Sequence, residues 1–171
     1  LAVSSKTRWI FINEEELASV GRYGSVSVST DGTPVKAINL NRFPINKCSL
    51  AKIDAEGHEW SIIQGAKTFL MQHQPVVYIE AKKELEGTKK YLEWFMSNGW
   101  ECYWHFAFWY RKNNRNKVSN NIFKGIGDMN VVAVPRKNGL LKNLQHITSP
   151  EATWDAESYL DFYKKKNIPI I

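Results

Sequence analysis

The sequence predicts an α/β domain with parallel strand pairing. Strand-like runs and helical runs alternate through the middle of the chain, the pattern that βαβ units leave. The length of 171 residues, 43% hydrophobic and 23% charged, suffices for one domain with a real interior. Gly, Pro and Asn signals fall between the runs rather than inside them.

In chain order, residues 9–12 and 25–29 read as strands, the second by clear alternation. Asp31-Gly32-Thr33-Pro34 is a turn signal before an extended run at 35–40 and implies a meander or hairpin. Residues 50–54 form a short, mostly apolar strand. Residues 58–73 place Trp60, Ile63, Ala66 or Lys67, and Leu70 on one helical face, and Pro75 stops the helix. Residues 76–80 make the strongest strand. Residues 87–98 give a second helix with Tyr91, Leu92, Phe95 and Met96 inward, and Gly99 is its stop. A strand at 100–108, a polar Asn-rich loop at 111–121 and an apolar strand at 130–134 follow. Ser149-Pro150-Glu151 reads as an N-cap, a Pro at the first helical position and an early acid. The helix after it would carry Trp154, Tyr159, Leu160 and Tyr163.

Seven Trp, seven Tyr and eight Phe argue against disorder. Cys48 and Cys102 make neither a disulfide framework nor a zinc site, and they fit a reducing, cytoplasmic location. No apolar run reaches the length of a transmembrane helix, and no signal-peptide pattern is present. The net charge of +6 permits an anionic partner without requiring one. Its local excesses, Arg111, Lys112, Arg115 and Lys117, then Lys164 to Lys166, read as solvated loop and helix-end charge. No nucleic-acid partner is expected.

The chemistry concentrates in Lys52-Ile53-Asp54-Ala55-Glu56-Gly57-His58-Glu59. In open α/β sheets, ligands bind beyond the carboxyl ends of the strands. Asp54 ends one strand and Glu80 the next, so parallel neighbours would bring both carboxylates to one edge, with Glu56 and His58 on the turn beside them. Such a set can hold a cationic cofactor, bind a metal or take a proton from a nucleophile. The structural alternative stands beside it: Asp54 caps the helix, Glu56 and Glu59 favour its positive end, and Glu80 pairs with Lys52 or Lys82. Lys52 also fits a strand lysine whose stem packs while its amine reaches water. Asp54, Glu56 and Glu80 would suit a divalent ion by ligand type, but no metal is assigned.

These residues resemble the FkbM-type methyltransferases, S-adenosylmethionine-dependent enzymes that mostly O-methylate sugars and related hydroxylated products. The resemblance rests on Lys52 to Glu59, on Ile62-Ile63-Gln64-Gly65-Ala66, and on Pro75-Val76-Val77-Tyr78-Ile79-Glu80. Leu1-Ala2-Val3-Ser4-Ser5 with the strand pair after it agrees. So does Asn120-Asn121-Ile122-Phe123 followed by Asn130 to Pro135. The resemblance covers residues 1–136 and implies a Rossmann-like class I methyltransferase sheet that lacks its N-terminal strands. Residues 137–171 are expected as a helical extension packed on it. The Gly-rich turn for the methionine part and the acid for the ribose are missing: Gly125-Ile126-Gly127 is misplaced, and Gly21-Arg22-Tyr23-Gly24 precedes no helix. With no initiator Met, the chain is expected to be a fragment.

By the resemblance, S-adenosylmethionine is the cofactor and a small-molecule or glycan hydroxyl the acceptor. Asp54 would position cofactor or acceptor. Glu56, Glu80 and Lys52 would bind the acceptor, and His58 would be the base. Trp109 and Tyr110 are the aromatic residues expected to face substrate. Two rival readings remain. Asp54 with Glu80-Ala81-Lys82 matches the D…E-x-K pattern of Mg²⁺-dependent nucleases, and the chain could be a non-catalytic remnant. Strand direction separates the first two, because the nuclease pattern spans an antiparallel hairpin.

Overall fold

The computed structural model describes residues 2–13, 28–82 and 86–166. A four-stranded sheet contains β1 (Ala2–Val3), β2 (Arg8–Ile12), β3 (Val28–Ser29) and β4 (Thr33–Ile38), in the order β1-β4-β2-β3. A five-stranded sheet contains β5 (Leu50–Ile53), β6 (Val76–Glu80), β7 (Trp100–Phe108), β8 (Gly127–Pro135) and β9 (Gln145–Ile147), in the order β5-β6-β8-β7-β9. The helices are α1 (Glu59–His73), α2 (Glu86–Ser97) and α3 (Ala156–Lys165).

The small sheet corrects the expected hairpin. Of the strand read at 25–29, residues 25–27 lie outside the described residues. β3 and β4 do not pair with each other. Each pairs antiparallel with β2, where Phe11 meets Ser29 on one side and Pro34 on the other. The Asp31–Gly32 link therefore passes over the end of β2. Gly32 is required there, with φ of 113° and a would-be Cβ 2.3 Å from the Ile12 carbonyl oxygen.

In the large sheet, β5 and β6 run parallel from Leu50 beside Val76 to Ile53 beside Ile79, with α1 between them in sequence. β8 is antiparallel to both β6 and β7, so β5, β6 and β7 share one direction. Parallel pairing thus holds where a helix crosses over. The late strand is instead the return arm of a long hairpin, starting at Gly127 rather than 130.

The helices follow their apolar faces. Ile63, Ala66, Phe69 and Leu70 of α1 and Tyr91, Leu92 and Phe95 of α2 are buried in one cluster with Val77, Ile79, Trp100, Cys102 and Val131. Gln74 ends α1 in the left-handed region, its N–H donating to the Leu70 carbonyl at 2.8 Å, immediately before Pro75. Gly99 follows α2 at φ 95°. Trp100 is fully buried, and its indole N–H donates to the Pro75 carbonyl at 3.1 Å.

The tail departs from expectation twice. Ser149 to Ala152 close a turn, with the Ala152 N–H donating to the Ser149 carbonyl at 3.0 Å. The last helix starts at Ala156, capped by Asp155, whose Oδ1 accepts from the Ser158 N–H at 2.8 Å. Ser-Pro-Glu suits a turn as well as a helix start, and the Asp155 cap sets Tyr159 and Tyr163 on the core-facing side. Trp154 precedes the helix. The tail also supplies β9, which places Ile147 beside Cys102 of β7. Among the described residues no helix is long and apolar enough to cross a membrane.

Candidate active site

The carboxyl ends of β5 and β6 emerge side by side because Ile53 and Ile79 are register partners. Asp54, Glu56 and Glu80 each bring a carboxylate oxygen within 4.8 Å of the others. The turn before α1 is sharp, with Glu56 at φ 47° and Gly57 at φ 90°. The buried Glu59 holds it: one carboxylate oxygen accepts from the Ala55 N–H at 3.1 Å and the Gly57 N–H at 3.0 Å. Glu59 is therefore structural and satisfies amides of the turn that leads into the helix.

Lys82 sits among the acids. Its ammonium lies 2.6 Å from Glu56 Oε2 and 3.9 Å from Glu80 Oε2. Burial disfavours the charge on Lys82, but the bond to Glu56 and the surrounding acids outweigh it and raise its pKa. Lys52 pairs with Asp54 at 2.7 Å, and both side chains are exposed. Of the two expected partners for Glu80, the structure selects Lys82.

Glu80 is the unusual member. Burial pushes its carboxyl pKa up, Lys82 offsets part of that, and the charges of Glu56 and Asp54 add to the rise. Its Oε2 is buried without a hydrogen-bond partner. Such an atom calls for a donor.

His58 is not part of the acid trio. It occupies the N-cap position of α1, and its Nε2 lies 3.0 Å from Oγ of the buried Ser4. Burial lowers its pKa and Arg8 lowers it further. Ser4 also donates its N–H to the Ile38 carbonyl at 3.0 Å, so His58 ties the site turn to the small sheet. The Gly65-Ala66 pair serves the same junction: a Cβ at Gly65 would lie 2.0 Å from the Ser4 carbonyl oxygen.

A second polar pair lies outside the site residues expected from the sequence. Tyr78 Oη lies 2.9 Å from His105 Nδ1. Tyr78 is two residues before Glu80 and so projects to the same face of β6, beside Lys52 in register. Burial raises the Tyr78 pKa, and burial followed by Arg111 lowers that of His105. Strand alternation was the available signal for Tyr78, while His105 was hidden in an aromatic run. Of the two aromatics expected to face substrate, Trp109 is exposed, and Tyr110 donates to the Val118 and Ser119 carbonyls. An apolar groove lined by Val3, Leu40, Ile53, Ile62 and Phe69 opens beside β5 and reaches Asp54.

Comparison with known families matches the Methyltransferase FkbM domain to residues 2–121. The chain belongs to the FkbM methyltransferase family. The match takes in the acid trio, the Gly65-Ala66 junction and β6, and it ends in the loop before β8, short of the 1–136 read from motifs. No curated protein and no solved structure matches. The parallel pairing of β5 with β6, with α1 between, is not the antiparallel hairpin of the D…E-x-K nucleases, and nothing in the FkbM match supports that rival.

Proposed function

We propose that this FkbM protein is an S-adenosylmethionine-dependent O-methyltransferase acting on a sugar or other hydroxylated small-molecule or glycan acceptor. The observation that carries the reading is Glu80, whose Oε2 is buried without a hydrogen-bond partner at a strand-end edge it shares with Asp54 and Glu56. A hydroxyl donor would satisfy that atom. The donor set also fits a cationic cofactor: three carboxylates share two ammoniums, Lys52 on Asp54 and Lys82 on Glu56 and Glu80. S-adenosylmethionine, when bound, supplies a methyl group on a sulfonium that leaves as a neutral thioether.

The chain's own task is to hold the acceptor oxygen in line, exclude water and receive the hydroxyl proton. Asp54 positions cofactor or acceptor. Glu56 and Lys52 make polar contacts to the acceptor, and Glu80 orients its hydroxyl. Burial and Arg8 lower the His58 pKa and so favour the neutral ring; in the tautomer whose Nε2–H donates to Ser4 Oγ, Nδ1 is the atom that would accept the proton. We place the remainder of the cofactor site, including the Gly-rich turn and the ribose acid, along the free edge of β5. Among the described strands β5 pairs with β6 alone, and the groove beside it is apolar, which supports a fragment that further sheet would complete. The free thiols of Cys48 and Cys102 accord with a cytoplasmic setting.

The test is methyl transfer from labelled S-adenosylmethionine to a panel of sugars, read by mass spectrometry. The wild type should give product, and Glu80→Gln should lower kcat about 100-fold or more with the fold intact. An unchanged rate in Glu80→Gln would remove the assignment, while no product from the folded chain with any acceptor would place the activity in a longer chain that supplies the missing turn and acid.

A further inference from the structure

The connection from β7 to β8 carries Arg111, Lys112, Arg115, Lys117 and Lys124, all exposed, and contains no acid from 109 to 127. Four large apolar side chains in the same loop are exposed as well: Trp109 at 55%, Val118 at 51%, Ile122 at 70% and Ile126 at 53%. The loop is well bonded to itself. Asn114 Oδ1 accepts from the Val118 N–H at 3.0 Å, and its amide donates to the Val118 carbonyl at 2.7 Å. Asn121 Oδ1 accepts from the N–H groups of Phe123 and Lys124 at 3.0 and 3.1 Å. Trp109 donates its indole N–H to Asp128 at 2.6 Å and meets the Phe123 ring edge-on at 5.6 Å.

Tyr110, Asn114 and Asn121 thus bond the loop's own backbone, while the aliphatic and cationic side chains are left to the outside. Exposed apolar groups gathered in one place mark a surface that something covers. Nucleic acid would use the cations and the Trp109 ring, but it would leave Val118, Ile122 and Ile126 in water. A lipid surface uses every member of the set. Cations meet anionic headgroups, the indole suits the interfacial layer, and aliphatic side chains reach the acyl boundary.

We propose that the β7–β8 loop docks this protein on an anionic lipid bilayer. This rests on the loop and is independent of the methyl-transfer reading. Because β5, β6 and β7 share one direction, the loop leaves the sheet at the same edge as Asp54 and Glu80. Docking therefore holds the acid edge near the membrane surface.

Vesicle flotation of the full chain tests this, with phosphatidylcholine vesicles and with the same vesicles containing phosphatidylserine. The expected result is binding to the anionic vesicles that weakens with salt, falls about 30-fold in the double variant Arg115→Ala/Lys117→Ala, and weakens in Ile122→Ser. All three positions are exposed, so the variants should keep the wild-type melting temperature. Absence of vesicle binding overturns the proposal. So does binding insensitive to both variants, or retention on heparin or single-stranded RNA without vesicle binding, which would make the loop a polyanion site.

Discussion

The two edges of the five-stranded sheet differ in how they are closed. On the β7 side, β9 and α3 cover the strand. Phe106 donates its N–H to Tyr159 Oη at 2.9 Å, and Tyr159 donates to Tyr163 at 2.8 Å with both rings buried. On the β5 side, Leu50 is 65% exposed, Lys52 and Asp54 face solvent, and an apolar groove stays open. The rigid interior lies in β6, β8 and β7 with the two helices that pack on them. The acids stand at the end of that interior, on its less supported side, where a ligand or more chain can approach.

Substitutions on the two sides should separate sharply. Trp100→Ala removes the largest fully buried side chain and leaves the Pro75 carbonyl without its donor. It should cost about 3–5 kcal/mol, read as a large fall in the urea midpoint or loss of the cooperative transition. Gly65→Val forces a side chain into the Ser4 backbone and should cost about 1–3 kcal/mol. Its effect should concentrate at the junction, so amide exchange near Ser4 and His58 should rise before exchange in β7 or β8. Exchange rising equally across the sheet would show that the β5 side is not a separate, weaker region.

Glu80 gives a prediction with a definite pH sign. Its folded-state pKa is raised, mainly by burial, so the folded state holds the proton more tightly than the unfolded state. The stability it contributes is present below the ordinary glutamate value and is lost as pH rises through the folded value. Glu80→Gln should therefore raise the melting temperature at pH 7 more than at pH 4. The reverse order would mean that Lys82 dominates the carboxylate. The smallest effect is expected for Lys52→Ala, which breaks an ion pair between exposed groups. Its thermal stability should stay within about 0.5 kcal/mol of wild type.

Much of this contrast was legible in the sequence. β6, β7 and the two central helices carry period and stop signals that agree with their packing, and Asp54 and Glu80 were placed together by strand-end position. The misses have physical causes. Asp31-Gly32 chemistry fits a crossover above β2 as well as a hairpin. Ser149-Pro150-Glu151 lost to the cap at Asp155. Gln145–Ile147 is too short to show a period and becomes a strand only by pairing with β7. In the site, residue types announced the acids, but the bond from His58 to Ser4 and that between Tyr78 and His105 join residues 54 and 27 positions apart, a spacing that no local pattern records.

The most direct test is calorimetric titration of S-adenosylmethionine into the folded wild type and an Asp54→Ala variant. Measurable binding is expected, weakened about tenfold or more in the variant, as for loss of one charged contact worth about 1.5–3 kcal/mol. Equal affinity in the two proteins would contradict the claim that this acid edge receives the methyl donor.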